Sequence, residues 1–203
     1  MRVSKLLIGL VAVAAVMSSP VLACKGNKVL YEDNFDDPTD ESWGKTDDQL
    51  MLGNGKLTLK PKEGWVMWPY FTGSLFDDMD VCVIANNVSQ RGETFGGLQF
   101  WRDTRSSDFY ILGWFASGEF RIDRHQKDKW LTVKSIPKAD IKQGPNGLRL
   151  TIKGNSGTAY LNDKQVFTFK GVNVADGGAV GFYAQSGDWE FSKLKITNVP
   201  AGN

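Results

Sequence analysis

Apolar and polar side chains alternate with a period of two along much of the chain, most clearly between residues 97 and 123. Side chains along a β-strand point to opposite faces in turn, so this pattern predicts strands. One face collects side chains typical of a core: Leu98, Phe100, Tyr110, Leu112, Trp114, Phe120 and Ile122. The other face mixes flat aromatic rings with polar groups: Gln99, Trp101, Phe109, Ile111, Arg121 and Asp123. The second face suits a ligand that is polar at its rim and apolar on its faces, such as a sugar.

Turn-forming residues separate short alternating segments along most of the chain. Gly53-Asn54-Gly55, residues 154–157 and Asn162-Asp163 each stand between two such segments. Gly and Asn accept positive φ and favour tight hairpins. Helical patterning is confined to one predicted turn at residues 139–142. The spacing of strands and turns therefore predicts an all-β fold, a two-sheet antiparallel β-sandwich or jelly roll.

The first 23 residues have the features of a secretory signal peptide. Arg2 and Lys5 precede an apolar run from Leu6 to Met17, and small residues follow near Ala23. The run is shorter than the ~20 residues that a membrane-spanning helix needs. The interpretation is a signal peptide at 1–23 and a single domain at 24–203. It predicts an exported protein, located in the periplasm, at the outer membrane or outside the cell, without a transmembrane segment.

The charge balance excludes a strongly polyanionic partner. The chain has 24 basic and 23 acidic residues. Removal of Arg2 and Lys5 with the signal peptide leaves 22 basic residues against the same 23 acidic ones. A nearly neutral protein has little attraction for nucleic acid or anionic lipid, so neither is expected as a partner.

Two cysteines, Cys24 and Cys82, allow two interpretations. Export permits a disulfide between them. The sequence Val21-Leu22-Ala23-Cys24 also resembles a bacterial lipobox, in which the cysteine becomes a lipid-anchored N-terminus. Disulfide and lipidation both remain open from the sequence.

From about Phe95 to Ile196 the order of motifs resembles the concanavalin A-like lectin/glucanase superfamily. The motifs are Gly97-Leu98-Gln99-Phe100-Trp101, Gly118-Glu119-Phe120-Arg121-Ile122, Asn146-Gly147-Leu148-Arg149-Leu150, residues 160–166, residues 178–183 and a closing strand at 189–196. The pattern is most similar to laminin-G-like and 3-keto-disaccharide-hydrolase-like domains of bacterial exported proteins. The resemblance implies a jelly roll with one concave sheet that binds glycans in many members.

The sequence favours binding over catalysis. Laminarinase-type glucanases of the superfamily place their carboxylates as Glu-x-Asp-x-x-Glu, a spacing that does not occur here. Glycosidic hydrolysis normally needs two positioned carboxylates. The single histidine, His125, is predicted in an exposed loop, and the sequence has no Gly-x-Ser-x-Gly elbow. No catalytic residue is assigned, although acidic residues scattered in sequence leave a glycoside hydrolase or a 3-keto-glycoside hydrolase or lyase as an alternative.

Acidic residues concentrate between positions 32 and 48. Calcium takes six to eight oxygen ligands, many of them from carboxylates. Jelly rolls resembling this one often carry a structural calcium at a sheet edge, so Asp33, Asp36 and Asp37 are candidate ligands. A solvated acidic loop explains the same composition.

The ligand site is predicted on the second face of the alternating strands. The residues are Gln99, Trp101, Phe109, Arg121, Tyr183 and Gln185. Trp43, Trp114 and Trp130 are assigned to the core. The leading hypothesis is an exported, non-catalytic, lectin-like protein that binds a carbohydrate on its concave sheet. A structural or interaction role in the cell envelope is a further alternative.

Overall fold

The computed structural model describes residues 24–89, 91, 93–171 and 177–200. The predicted signal peptide, residues 1–23, lies outside these ranges. The described residues form fourteen strands and one 3₁₀ turn, Glu41–Trp43. The strands are β1 Val29–Asp33, β2 Leu50–Gly53, β3 Lys56–Leu59, β4 Val66–Met67, β5 Met79–Asn87, β6 Phe95–Arg102, β7 Phe109–Phe115, β8 Phe120–Gln126, β9 Lys129–Ile136, β10 Asn146–Lys153, β11 Ser156–Leu161, β12 Lys164–Lys170, β13 Ala179–Gln185 and β14 Trp189–Thr197. Within the described part of the chain, no helix has the length and apolar character needed to cross a membrane.

The strands form two antiparallel sheets. Sheet A has the order β12-β11-β10-β5-β14-β3-β2, with β1 also paired to β14. Sheet B has the order β4-β13-β6-β7-β8-β9. The prediction of an all-β, two-sheet antiparallel sandwich is confirmed.

Two tight turns follow the sequence signals. Asn54 and Gly55 have φ values of 54° and 76°, and Asn162 and Asp163 have 50° and 64°. These positive values match the two-residue hairpin turns that Asn and Gly favour. The segment from residue 64 to residue 71 is only partly regular, since β4 covers only two residues and Tyr70 makes an isolated bridge to Gly181. The predicted helical turn at 139–142 does not form.

The core lies between the two sheets. All seven side chains predicted there from the alternation belong to the main hydrophobic cluster, each 3% exposed or less. Trp43 and Trp114 are also in this cluster, as predicted. Alternation alone therefore identified the buried face of β6, β7 and β8.

The prediction for the outer face of β6 is wrong at Trp101. Its side chain is 1% exposed and packs in the core against Phe100, Tyr110 and Phe169, rather than on the outer face. The cause is a bulge: Gln99 pairs with Gly181 and Arg102 with Ala179, so two residues of β6 oppose one of β13. Trp101 has φ 48°, and the bulge turns its indole inward and Arg102 outward.

The outer face of sheet A carries a buried ion pair beneath the start of the described chain. Asp80 is fully buried, and Arg149 Nε donates to its Oδ1 at 2.7 Å. The backbone N–H of Lys25 donates to Asp80 Oδ2 at 2.7 Å. Cys24 is bonded to Cys82 of β5 with an S–S distance of 2.10 Å. The disulfide holds residues 24 and 25 over this ion pair.

Candidate functional site on the outer face of sheet B

The outer face of sheet B is concave. Trp130 of β9 and Tyr183 of β13 have ring centroids 5.7 Å apart, although β8, β7 and β6 lie between their strands. In a flat sheet, four strand spacings would separate them by about 19 Å. Curvature of the sheet and the reach of the two side chains together close this distance, and a cavity lies on the same side, called the concave face below. The strands β6, β7, β8 and β13 share this sheet, as the predicted ligand site requires.

An aromatic wall crosses the middle of the concave face. It consists of Trp68, Phe109, His125, Trp130 and Tyr183. Trp68 comes from the β4 edge and lies 5.6 Å from Phe109, and Trp130 comes from the β9 edge and lies 5.8 Å from the same ring. His125 stacks on Phe109 at 5.1 Å. The two tryptophans remain 37% and 47% exposed, so they form the solvent side of the wall.

A cavity of about 300 Å³ lies on one side of this wall. This cavity is called the Arg121 pocket below. Trp130 and Tyr183 belong to both the wall and the pocket. Its lining residues are Val66, Phe95, Arg121, Asp123, Trp130, Thr132, Tyr183 and Gln185. The strand register gathers them, because Gln185 pairs with Phe95 on one side and Val66 on the other. A bulge in the β8–β9 pairing sets Thr132 opposite Asp123.

Arg121 organises the polar part of the pocket. Its Nη2 contacts Asp123 Oδ2 at 2.7 Å, and its Nη1 lies 3.8 Å from Glu119 Oε1. The guanidinium also lies over the rings of Phe95 and Phe115, at 5.1 and 4.5 Å. Its buried Nε has no partner within the protein. Two carboxylates and two aromatic faces therefore fix the orientation of this side chain.

Burial sets the protonation behaviour of the pocket. Burial raises the pKa of Asp123 above its ordinary value, while Arg121 and a hydrogen bond from Thr132 Oγ1 at 2.9 Å oppose the shift. Burial also raises the pKa of Tyr183, and the Asp123 charge adds to this effect. The Tyr183 hydroxyl therefore stays protonated at neutral pH and can donate a hydrogen bond, as it does to Gln185 Oε1 at 3.4 Å.

The opposite end of the concave face is closed around Arg102. Its guanidinium lies 4.3 Å from the Tyr70 ring centroid and 5.2 Å from that of Phe109, and Nη1 donates to Gln99 Oε1 at 3.4 Å. Arg102 is 8% exposed, and burial lowers its pKa. The stacking on two rings compensates part of the cost of burying this charge.

The six predicted ligand residues divide into three groups. Arg121, Tyr183 and Gln185 line the pocket. Phe109 and Gln99 lie on the concave face but are 1% and 0% exposed, beneath other side chains. Trp101 is in the core, so its predicted place on this face is wrong. Whether the remaining residues bind a glycan stays a prediction.

Three residues of this face were placed differently by the sequence. Trp130 is exposed rather than part of the core, and His125 lies on β8, 5% exposed, rather than in an exposed loop. Trp68 was not singled out, because it follows a two-residue strand where alternation gives little signal. Trp130 carried a usable signal, since it is in phase with polar Thr132 and out of phase with Val133.

The predicted calcium ligands have other partners. Asp33 accepts hydrogen bonds from Phe35 N, Tyr31 Oη and Trp43 Nε1, at 2.6, 2.9 and 2.7 Å. Asp37 Oδ1 accepts from the backbone and hydroxyl of Thr39. In the described ranges, Asp33, Asp36 and Asp37 do not form a cluster close enough to share one ion. Calcium binding at these residues stays a prediction.

The cysteines adopt the disulfide alternative. Cys24 and Cys82 are bonded to each other, so the Cys24 sulfur that a lipid anchor would use is occupied. They form a compact group with Asp80. Cysteine sulfurs in a disulfide are not the thiolates that bind metals, and Asp80 is already engaged by Arg149, so this group is structural.

Solved structures share this fold. The carbohydrate-binding module CBM66 from Bacillus subtilis aligns with a TM-score of 0.61 and 12% identity, over 70% of this chain and 86% of that one. A Bacillus subtilis protein of unknown function with a galectin-like fold aligns at 0.67 and 11%, over 87% and 99% of the two chains. The β-glucanase of Bacillus licheniformis aligns at 0.64 and 9%, over 83% and 97%.

These likenesses establish the architecture. The chain has the concanavalin A-like jelly-roll fold, as the motif order implied. No family model matches the sequence, and no curated protein matches it either.

Proposed function

We propose that this protein is a non-catalytic, lectin-like carbohydrate-binding protein that holds its ligand in the Arg121 pocket. The observation that carries the proposal is the union of one exposed aromatic face, that of Trp130, with fixed polar groups in one concave site. Ligand sites combine an apolar lining with a few well-placed polar groups that orient the ligand. A sugar presents apolar ring faces and a rim of hydroxyl groups, which matches this combination.

Each lining residue has a distinct part in this proposal. Trp130, 47% exposed, offers a ring face on which a sugar stacks. Arg121 and Gln185 donate to sugar hydroxyls, and Asp123 and Thr132 supply acceptor oxygens. Arg121 is held in place by Asp123, so it is already oriented before a ligand arrives.

The shared fold adds support of a general kind. Proteins with this architecture include a carbohydrate-binding module and a β-glucanase, which act on glycans in different ways. Their likeness is consistent with a carbohydrate ligand but does not distinguish binding from hydrolysis. An exported location, as the N-terminal sequence suggests, fits a glycan partner and the Cys24–Cys82 disulfide.

A hydrolase is the competing proposal, and one feature favours it. The carboxylates of Asp123 and Glu119 both lie within 4 Å of the Arg121 guanidinium, so they are near each other on the concave face. Glycosidases use two carboxylates about 5–10 Å apart. Here the guanidinium stands between the two acids and Ser135 Oγ donates to Glu119 at 2.6 Å, an arrangement that holds Arg121 in position. Binding is therefore proposed ahead of hydrolysis.

Titration calorimetry against plant, algal and bacterial polysaccharides tests the proposal. Binding is expected for at least one polysaccharide, with no release of reducing sugar on prolonged incubation. Trp130→Ala should weaken it at least tenfold, because an aromatic stacking contact contributes about 0.5–1.5 kcal/mol beyond the buried area. Leu75→Ala is the matched control, since Leu75 is 48% exposed and does not line the pocket.

Two outcomes would contradict the proposal. Absence of binding to every polysaccharide tested would remove the lectin-like function. Release of reducing sugar by the protein, lost in Asp123→Asn, would replace binding with hydrolysis.

A further inference from the structure

The centre of the concave face offers no open floor to a ligand. Phe109, Ile111 and Gln99 occupy the middle of this face on β7 and β6, and they are 1%, 0% and 0% exposed. An open cleft running across the sheet would leave these side chains accessible. A polysaccharide segment therefore cannot lie along the floor from one edge of the sheet to the other.

Trp68, His125 and Trp130 of the aromatic wall cover Phe109. Trp68 and Trp130 approach from opposite edges of sheet B and both contact Phe109 and His125. Tyr183 joins them, with its ring centroid 6.5 Å from Trp68 and 5.7 Å from Trp130. Rings at these distances are in contact, so the wall spans the width of the face.

The Arg121 pocket is bounded by this wall. Trp130 and Tyr183, two of its lining residues, are also members of the wall. The volume of about 300 Å³ is at the small end of the range for ligand pockets. The pocket therefore has one closed side and room for a short part of a chain.

The polar groups suit the end of a chain in particular. A terminal sugar carries a hydroxyl that is bonded to the next unit in an internal sugar. Arg121, Gln185 and Thr132 all contribute polar groups to the lining of the pocket. These groups can meet the additional hydroxyl. An internal unit would instead have to continue through the side of the pocket that Trp130 and Tyr183 close.

We propose that the Arg121 pocket binds the terminus of a glycan chain and that the aromatic wall excludes internal segments. This inference rests on the proposed carbohydrate-binding function. The amount of protein bound to a glycan should then depend on the number of chain ends and not on the length of the chain.

The test is calorimetric stoichiometry with chains of different length. The probes are laminarin, xylan, levan and polygalacturonate, each as a trimer, a hexamer and a size-fractionated polymer. The expected result is one protein bound per unbranched chain at every length, with a Kd per chain that varies by less than about threefold. If the non-reducing end is the one held, branched levan should bind in proportion to its number of non-reducing ends.

The outcomes separate the two proposals. A number of bound proteins that grows with the length of an unbranched chain would overturn end recognition and leave the lectin-like function standing. No binding to any of the four glycans in any form would overturn both. For laminarin, xylan and polygalacturonate, borohydride reduction of the reducing end then identifies which end is held, since it abolishes binding only if that end is recognised.

One variant tests whether the aromatic wall excludes internal segments. Trp68→Ala removes a member of the wall that does not line the pocket. With the wall opened, more than one protein should bind each long chain, while trimer affinity stays within about threefold of the unmodified protein. An unchanged stoichiometry would overturn the role of the wall. Leu75→Ala again serves as the exposed control, and far-UV circular dichroism confirms that both variants fold.

Discussion

Trp130 and Tyr183 meet across the concave face at a centroid distance of 5.7 Å, although they belong to the first and fifth of five neighbouring strands. The contact links the curvature of sheet B to the shape of the site. Without it, Phe109 and Ile111 would lie at the bottom of an open cleft. With it, the site becomes a short pocket beside a wall of rings.

Trp101 and Trp130 give the first prediction. The sequence placed Trp101 on the outer face and Trp130 in the core, and the structure has the reverse. Trp101→Ala should lower the free energy of unfolding by about 3–5 kcal/mol, because it empties a fully buried position. Trp130→Ala should cost only about 1–2 kcal/mol, since nearly half of its surface is already exposed. Urea unfolding of both variants at neutral pH measures the difference. A larger loss for Trp130→Ala would contradict the inward orientation of Trp101.

The buried ion pair of sheet A gives the second prediction. Asp80→Asn leaves Arg149, whose side chain is 5% exposed, without its counter-charge and should cost about 3–5 kcal/mol. The double change Asp80→Asn with Arg149→Met should recover part of this loss, because it removes the uncompensated charge. Urea unfolding measures all three proteins. Asp77→Asn, at an exposed position three residues before Asp80, should have almost no effect.

The disulfide gives the third prediction. Cys24 and Cys82 are 58 positions apart, and closing a loop of that length stabilises the folded state by about 4 kcal/mol in the chain-entropy model. Measured values typically fall between about 2 and 4 kcal/mol. The double variant Cys24→Ala with Cys82→Ala should lose this amount in urea unfolding. Dithiothreitol should destabilise the unmodified protein and leave the double variant unaffected, and equal sensitivity would show that no disulfide forms.

The raised pKa of Asp123 gives a prediction about pH. A carboxyl whose pKa is higher in the folded state stabilises the fold below its unfolded value, about pH 4, and this contribution is lost as pH rises through the folded value. The stability of the unmodified protein relative to Asp123→Asn should therefore fall as pH rises above about 4 and level off once Asp123 is ionised in the folded protein. Urea unfolding of both proteins across this range gives the difference directly. An increase with pH would mean that the ion pair with Arg121 outweighs burial.

Much of the architecture followed from alternation and turn chemistry. The inward face of β6, β7 and β8 was predicted because Leu98, Leu112 and Ile122 keep strict phase with their neighbours. The turn at Asn162 and Asp163 was predicted because these residue types accept positive φ.

The candidate site was harder to predict because one bulge changes the face of a residue. Trp101 takes φ 48°, a conformation that is uncommon for a bulky residue, so nothing in its type signals the bulge. Alternation therefore placed its indole on the wrong side and missed Arg102. His125 and Trp130 pair across β8 and β9, a contact that depends on register rather than on either residue alone.

The disulfide also sets the orientation of the concave face when the protein is attached to a support through the chain just before Cys24. Cys82 lies on β5 with its side chain outside the core, on the side of sheet A that points away from sheet B. Residue 24 is therefore fixed to the back of the sandwich. A surface, a bead or a fusion partner joined just before Cys24 would sit behind the protein, and Trp68 and Trp130 would point outward into the surrounding medium.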